Sequence, residues 1–156
     1  MYEQLLKEAE EEGVEVISWP LKGNVKGLYY DRVIALNKNI STTAEKTCIL
    51  AEELGHYYTS CGDILDQKIT TNRKQEEKAK RWAVQRLVSL NDFICAFRSG
   101  ARNKFEVAEY LGITEEFLDK IVEVYSRKYG AYKVIDDWII FQPIWLFAKG
   151  FLKYTV

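Results

Sequence analysis

The stretch Ala51-Glu52-Glu53-Leu54-Gly55-His56-Tyr57-Tyr58 lies inside a run of helical periodicity that extends from residue 42 to residue 59. Thr42-Thr43-Ala44-Glu45 predicts where this helix begins, because a hydroxyl and a carboxylate three residues apart cap the free amides of a first turn. At about 100° per residue, one face is apolar and should pack on the core: Leu50, Ala51, Leu54, Tyr57 and Tyr58. A second face centres on an isoleucine and the chain's single histidine: Glu45, Ile49, Glu52, Glu53, His56 and Ser60. The pattern predicts a helix with one flank in the core and the other in a cleft.

The second face carries a spacing that is typical of metal chemistry. Glu52, Glu53 and His56 occupy the three defined positions of the zinc-peptidase pattern H-E-x-x-H, with Glu in place of the first His. In that pattern two ligands one turn apart bind one ion, and the glutamate between them activates a water. A carboxylate and an imidazole at i and i+4 are also neighbours on a helix, so they can share an ion. Glutamate pairs on helices commonly face solvent, and a solvated helix face is the alternative.

Composition restricts the class of protein. The 156 residues are 47% hydrophobic, which suits one domain with a real core and room for a small C-terminal lobe. A net charge of -1 argues against a protein that wraps nucleic acid or binds membrane surfaces. We find no apolar run of membrane-spanning length and no opening signal peptide. Three cysteines without C-x-x-C spacing favour neither disulfides nor a cysteine-rich zinc site, so we expect a cytoplasmic, reduced protein.

The N-terminal part predicts a small sheet beside the central helix. Residues 2–12 form an amphipathic pattern, and three short apolar runs bounded by Gly, Pro and Asn follow at 14–19, 28–30 and 33–36. We expect an α+β fold in which a small antiparallel sheet is packed by the first helix and by helix 42–59. Zinc peptidases commonly lay an extended substrate along such an exposed sheet edge. We expect a core domain over residues 1–100 and helix-turn-helix-like segments with an aromatic extension over 101–156, packed on the core.

A second helix, predicted over residues 73–87, contributes another carboxylate. On its wheel Glu76 shares a stripe with Ala79 and Ala83, whereas Glu77 falls on the opposite face. We therefore expect Glu76 to point inward and Glu77 to point to water. A desolvated carboxylate requires a partner, which is either a basic side chain or a metal ion.

Three segments together resemble the ImmA/IrrE family of metallopeptidases, and most closely its short members from phages and integrative elements. They are Ile49-Leu50-Ala51-Glu52-Glu53-Leu54-Gly55-His56, then Gly62-Asp63, then Glu76-x-x-Ala79-x-x-Trp82-Ala83. The resemblance covers most of the chain, from the sheet through helix 115–129. It implies a minimal zincin-like fold and cleavage of a helix-turn-helix repressor. By position it also implies that His56 is a metal ligand, Glu53 the general base and Glu76 the downstream carboxylate ligand.

Glu52 stands where the fuller family motif has histidine. One imidazole and two carboxylates make a harder ligand set than a histidine-rich one, so manganese or iron becomes compatible beside zinc, which stays the first expectation. A second interpretation is that the protein has lost its metal and acts as a non-catalytic anti-repressor that only binds. Asp63 is either a replacement oxygen ligand or an ordinary turn residue. Cys48 fits a small buried hydrophobe better than a ligand.

The segment 105–121 follows the core pattern of a helix-turn-helix, with a small residue, a turn glycine and packing apolar residues at the required places. Its second helix carries Glu115, Glu116 and Asp119, whose charge opposes phosphates and base edges. A DNA-binding regulator acting through residues 105–125 is therefore the weakest hypothesis, and we expect no specific nucleic-acid binding. The segment suits a structural role or part of the surface that meets a substrate protein.

The last part of the chain is aromatic and β-prone. Residues 132–135 and 138–141 predict a hairpin across Asp136-Asp137, and residues 143–154 follow as an aromatic extension. This extension either packs on the domain or offers a patch for self-association or for a partner. The sequence leaves both interpretations open.

Overall fold

The computed structural model describes residues 1–60, 69–130, 132–135, 138–141 and 145–148. The chain divides into two compact units. The first comprises Met1–Leu87 with Gly112–Thr114, and the second comprises Val88–Leu111 with Glu115–Val156. The domain boundary expected near residue 100 stays a prediction.

The first unit contains three helices and three strands in the α+β arrangement that the sequence predicts. In chain order they are α1 Tyr2–Glu11, β1 Glu15–Trp19, β2 Gly27–Tyr30, β3 Val33–Asn37, α2 Thr43–Ser60 and α3 Ile69–Leu87. The helix start predicted at Thr42 is confirmed, since its hydroxyl accepts a hydrogen bond from the Glu45 amide at 3.2 Å. Helix α3 begins four residues before the predicted residue 73. The polar residues 70–72 belong to its first turn, although they resemble loop residues in sequence.

The sheet is mixed, and the prediction of an antiparallel sheet is wrong for one of its two strand pairs. Strand β3 lies in the centre, antiparallel to β2 and parallel to β1. The β2–β3 pair is a two-residue hairpin with positive φ at both Asp31 and Arg32 (44° and 64°), as a primed turn requires. The most apolar strand takes the central position because it is covered on both faces: four of its five residues, Ile34, Ala35, Leu36 and Asn37, are buried.

Strand β2 is an edge strand, and its hydrogen-bonding pattern determines which backbone groups it leaves free. The Asn37 amide donates to the Lys26 carbonyl at 2.8 Å, so residues 26 and 37 are a hydrogen-bonded pair. Such pairs alternate along an antiparallel ladder. The N–H and C=O groups of Gly27 and Tyr29 therefore point away from β3. Among the described residues no strand pairs with this side of β2, which we call its free edge.

The two faces of the sheet differ. Gly27 and Tyr29 face helix α2, where the rings of Tyr29 and Tyr57 meet edge to face with centroids 5.9 Å apart. Because side chains alternate along a strand, Leu28 and Tyr30 lie on the opposite face and are exposed. Leu28 is opposite Ala35 of β3, which in turn is opposite Ile17 of β1. We call the face that carries Leu28 and Tyr30 the outer face.

Helix α2 is the centre of the first unit. Four residues of its predicted core face are buried: Leu50, Ala51, Leu54 and Tyr57. The Tyr57 hydroxyl donates to Glu12 Oε2 at 3.1 Å, and the Tyr58 ring stacks on Trp82 of α3 with centroids 4.7 Å apart. These contacts to α1 and α3 set the rotation of α2 about its axis, and with it the direction of the opposite flank.

The second unit contains the helices predicted for the helix-turn-helix-like segment. Its elements are α4 Leu90–Arg98, α5 Lys104–Leu111, α6 Glu115–Tyr129, β4 Tyr132–Ile135, β5 Trp138–Phe141 and β6 Trp145–Ala148. Strands β4 and β5 form the predicted antiparallel hairpin, and β6 adds to β5. The rest of the predicted aromatic extension, at 143–144 and 149–154, lies outside the described residues. No described helix combines the length and apolarity needed to cross a membrane.

A substitution at Gly55 tests the α2–α3 contact. A Cβ there would lie 2.5 Å from the Ala79 carbonyl oxygen, so the helices would have to separate. We expect Gly55→Ala to lower the free energy of unfolding by about 1–3 kcal/mol, although alanine is the better helix former by about 1 kcal/mol. Chemical denaturation measures this, with Gln85→Ala on the exposed side of α3 as the control. A stabilised Gly55→Ala would show that the close contact is absent.

Candidate active site on helix α2

Glu53 lies between helix α2 and the edge strand β2. A Cβ at Gly27 would come within 2.6 Å of Glu53 Oε1 and 2.5 Å of Ile49 Cγ2, so the helix packs directly on the strand backbone. The carboxyl also accepts a hydrogen bond from the backbone N–H of Tyr29. That N–H points to the free edge of the sheet. The Glu53 carboxyl therefore lies at the free edge of β2, on the α2 side of the sheet.

The surroundings of Glu53 favour its neutral form. Burial is the largest cause that raises the pKa of the Glu53 carboxyl, and with the negative charges of Glu52 and Glu76 it brings that pKa from 4.5 to about 7. The hydrogen bond from Tyr29 acts in the opposite direction, because it stabilises the ionised form. A carboxyl whose pKa lies near neutrality can both accept and return a proton, as a general base must.

His56 and Glu76 meet across the α2–α3 contact. Glu76 Oε2 lies 3.6 Å from His56 Nε2, beyond the usual range of a hydrogen bond. Two ligands that hold one tetrahedral zinc ion at about 2.1 Å lie about 3.4 Å apart, so the separation fits donors that share a metal. The His56 side chain is largely covered, being 25% exposed.

The burial predicted for Glu76 and Glu77 is wrong. The Glu76 side chain is 70% exposed, whereas Glu77 is only partly exposed. The helical wheel gave the correct direction, because Glu76 does point towards His56. It could not give the depth: Ala79 and Ala83 of the same stripe are buried, but the turn that carries Glu76 lies at the surface.

Glu52 is half-buried on the turn before His56, and its charge acts on Glu53. No group of three or more His, Cys, Asp or Glu side chains is arranged to hold a metal ion anywhere in the described part of the chain. The donors that fit a divalent metal are thus the pair His56 and Glu76, and the role of Glu52 as a third ligand stays a prediction. Asp63, the other oxygen donor considered, lies outside the described residues.

Two features of the site were missed in the sequence. Gly27 is required for the close approach of β2 to Glu53, and the Tyr29 amide holds the carboxyl. A glycine inside a strand commonly marks such an approach, so Gly27 carried a signal. Ile49 was assigned to the cleft face, but it is buried, and its Cγ2 lies against the Gly27 backbone. Cys48 is buried as predicted.

The arrangement combines a proton-accepting group with a pair of metal donors one helical turn away. Glu53 can move a proton at the free edge of β2, and His56 with Glu76 can hold a cation beside it. Such a combination suits hydrolysis of a substrate that lies extended along the edge strand.

Comparisons with known proteins agree with this chemistry. The model of the peptidase family M78, described as the IrrE N-terminal-like domain, matches residues 9–122. No curated protein and no solved structure matches the chain significantly. The matched residues include the whole β1-β3-β2 sheet, helices α2 and α3 and the three residues Glu53, His56 and Glu76. The chain therefore belongs to the M78 peptidase family, the proteins with an IrrE N-terminal-like domain.

Proposed function

We propose that this protein is a metal-dependent endopeptidase in which Glu53 is the general base and His56 and Glu76 hold the metal, with Glu52 as a third ligand. The observation that carries the proposal is the position of Glu53. Its carboxyl is packed against the free edge of β2, and His56 lies one turn further along the same helix, where it meets Glu76 of α3. Membership of the M78 family supports a peptidase that uses a divalent metal.

The residues of the chain divide the chemistry between them. His56, Glu76 and Glu52 would hold a divalent ion, which would supply Lewis acidity towards the scissile carbonyl and a water molecule. Glu53 accepts a proton from the attacking water and returns it to the leaving amine, a role that suits a pKa near neutrality. Zinc is the first expectation, and the carboxylate-rich donor set also accepts manganese or iron.

The substrate is a protein, and we propose a helix-turn-helix repressor of a phage or another mobile element, cleaved in the cytoplasm. Edge-strand addition suits such a substrate, because an extended segment can pair with the N–H and C=O of Gly27 and with the Tyr29 carbonyl, while the Tyr29 N–H bonds to Glu53. The acidic exposed residues of α6, Glu115, Glu116 and Asp119, support a surface that meets protein rather than DNA.

A second candidate function is a metal-free anti-repressor that binds its target without cutting it. One observation favours it: within the described residues the site offers two converging donors and no set of three. Zinc peptidases ordinarily use three protein ligands, so the weight of this candidate depends on whether Glu52 contributes.

Replacement of Glu53 separates the two functions. We expect Glu53→Gln to keep metal binding and to reduce cleavage by at least about 100-fold, because an amide cannot transfer the proton. Cleavage of a panel of purified helix-turn-helix repressors, followed by mass spectrometry, measures the loss. Glu109→Gln, the same change on the exposed side of α5, should leave cleavage intact. Undiminished cleavage by Glu53→Gln would remove this residue from the mechanism.

Replacement of Glu52 tests its role as a ligand. If Glu52 binds the metal, Glu52→His should tighten zinc binding about tenfold or more relative to manganese, because imidazole suits zinc better than a second carboxylate does. Calorimetric titration of both metals into both proteins measures this, with Glu109→His as the control for an added histidine. Equal zinc affinities, with no cleavage by either protein, would support the metal-free binder.

The raised pKa of Glu53 predicts a pH-dependent cost in stability for the metal-free protein. The unfolded chain releases this proton near pH 4.5 and the folded chain near 7, so the stability contributed by protonated Glu53 is lost between these values. We expect the Glu53→Gln protein to lack that loss. Its free energy of unfolding should exceed that of wild type by up to about 3 kcal/mol at pH 8, whereas the two proteins should differ little at pH 4. Urea denaturation in the presence of a chelator measures both proteins. If the unfolding free energies of the two proteins changed in parallel with pH, the Glu53 carboxyl would not be desolvated.

A further inference from the structure

The outer face presents two large apolar side chains beside the free edge of β2. Leu28 is 52% exposed and Tyr30 is 77% exposed. They alternate with Gly27 and Tyr29, the residues whose backbone groups point to the edge. The edge that borders Glu53 and the apolar pair are thus parts of the same four-residue strand.

A strand added to this edge would have a defined orientation of side chains. Its residue opposite Tyr29 would point to the α2 side, towards Glu53. The residues before and after it would lie on the outer face, directly opposite Leu28 and Tyr30. Directly opposed side chains on neighbouring strands have Cβ atoms about 5 Å apart and interact.

We propose that Leu28 and Tyr30 determine substrate specificity by selecting large apolar side chains at two positions of the substrate separated by one residue. The proposal rests on the proposed function and deepens it, because it states the substrate class: an extended protein segment with apolar residues in alternation around the residue presented to Glu53.

The dimensions of the sheet favour this occupant over a second copy of the chain. Three strands of about five residues span roughly 14 Å by 17 Å, or about 240 Å². A stable dimer interface requires about 800 Å² from each partner. The outer face is too small for that by itself, whereas a single added strand needs only the edge and the two neighbouring side chains.

Peptide binding tests the inference without requiring catalysis. The probes are fluorescein-labelled nine-residue peptides with two leucines in a serine and threonine background, either at alternate positions or adjacent. The protein is the full chain carrying Glu53→Gln, and the readout is fluorescence anisotropy. We expect the alternating peptides to bind about tenfold more tightly than their adjacent isomers, since two opposed apolar pairs form in only one arrangement.

Variants of the protein identify the surface. The double variant Leu28→Ser, Tyr30→Ser should bind both peptide arrangements equally. Tyr110→Ser, which removes a comparably exposed aromatic residue from α5, should keep the preference. N-methylation of successive peptide amides should weaken binding at every second position, because only alternate amides donate to the edge.

Each outcome decides the proposal. Equal binding of the two arrangements by the Glu53→Gln protein, no binding of either up to about 1 mM, or an unchanged preference in the double variant would overturn it. Self-association in analytical ultracentrifugation that the double variant abolishes would also overturn it, since the occupant would then be a second copy. If wild-type protein binds the alternating peptides and known repressors but cleaves none of them, the specificity surface stands and the catalytic proposal fails.

Discussion

Helix α2 lies in direct contact with backbone on two sides, and the candidate site depends on those two approaches. On one side the Gly27 backbone of β2 contacts Ile49 and Glu53, and on the other Gly55 meets the Ala79 carbonyl of α3. A Cβ at either glycine would widen the contact. The first approach brings the Glu53 carboxyl to the sheet edge, and the second brings Glu76 of α3 within reach of His56. The lack of a Cβ at these two glycines thus allows Glu53, His56 and Glu76 to lie in one site.

Close packing at Glu53 also creates an electrostatic cost. The helix carries a carboxyl into partial burial next to two further acidic residues, and the Tyr29 amide offsets only part of the desolvation. A core helix selected for stability alone would place an apolar residue here. The retained charge is consistent with a site in which reactivity near neutral pH is favoured at the expense of stability in the metal-free state.

The sequence predicts the elements well because their signals are local. The capping pair Thr42 and Glu45, the helical periodicity of α2 and the hairpin dipeptide Asp31-Arg32 each depend on a few neighbouring residues. Burial of Glu76 was predicted wrongly because the burial of a side chain depends on which other elements cover its turn. A helical wheel carries no information on those elements. The helical wheels and the family resemblance both indicated that Glu76 meets His56, but the distance between them depends on how the two helices cross, which neither specifies.

The order of the strands decides whether the candidate site can be reached at all. A simple antiparallel meander, β1-β2-β3, would place β2 in the centre and pair both of its edges. The Tyr29 amide would then bond to β1, and no extended segment could lie beside Glu53. In the observed order β1-β3-β2, the connection 20–26 passes the end of β3, where the Asn37 side chain donates to the carbonyls of Leu21 and Val25. One buried asparagine therefore supports the topology that leaves the edge beside Glu53 free of a third strand, and no periodicity in the strands themselves specifies that choice.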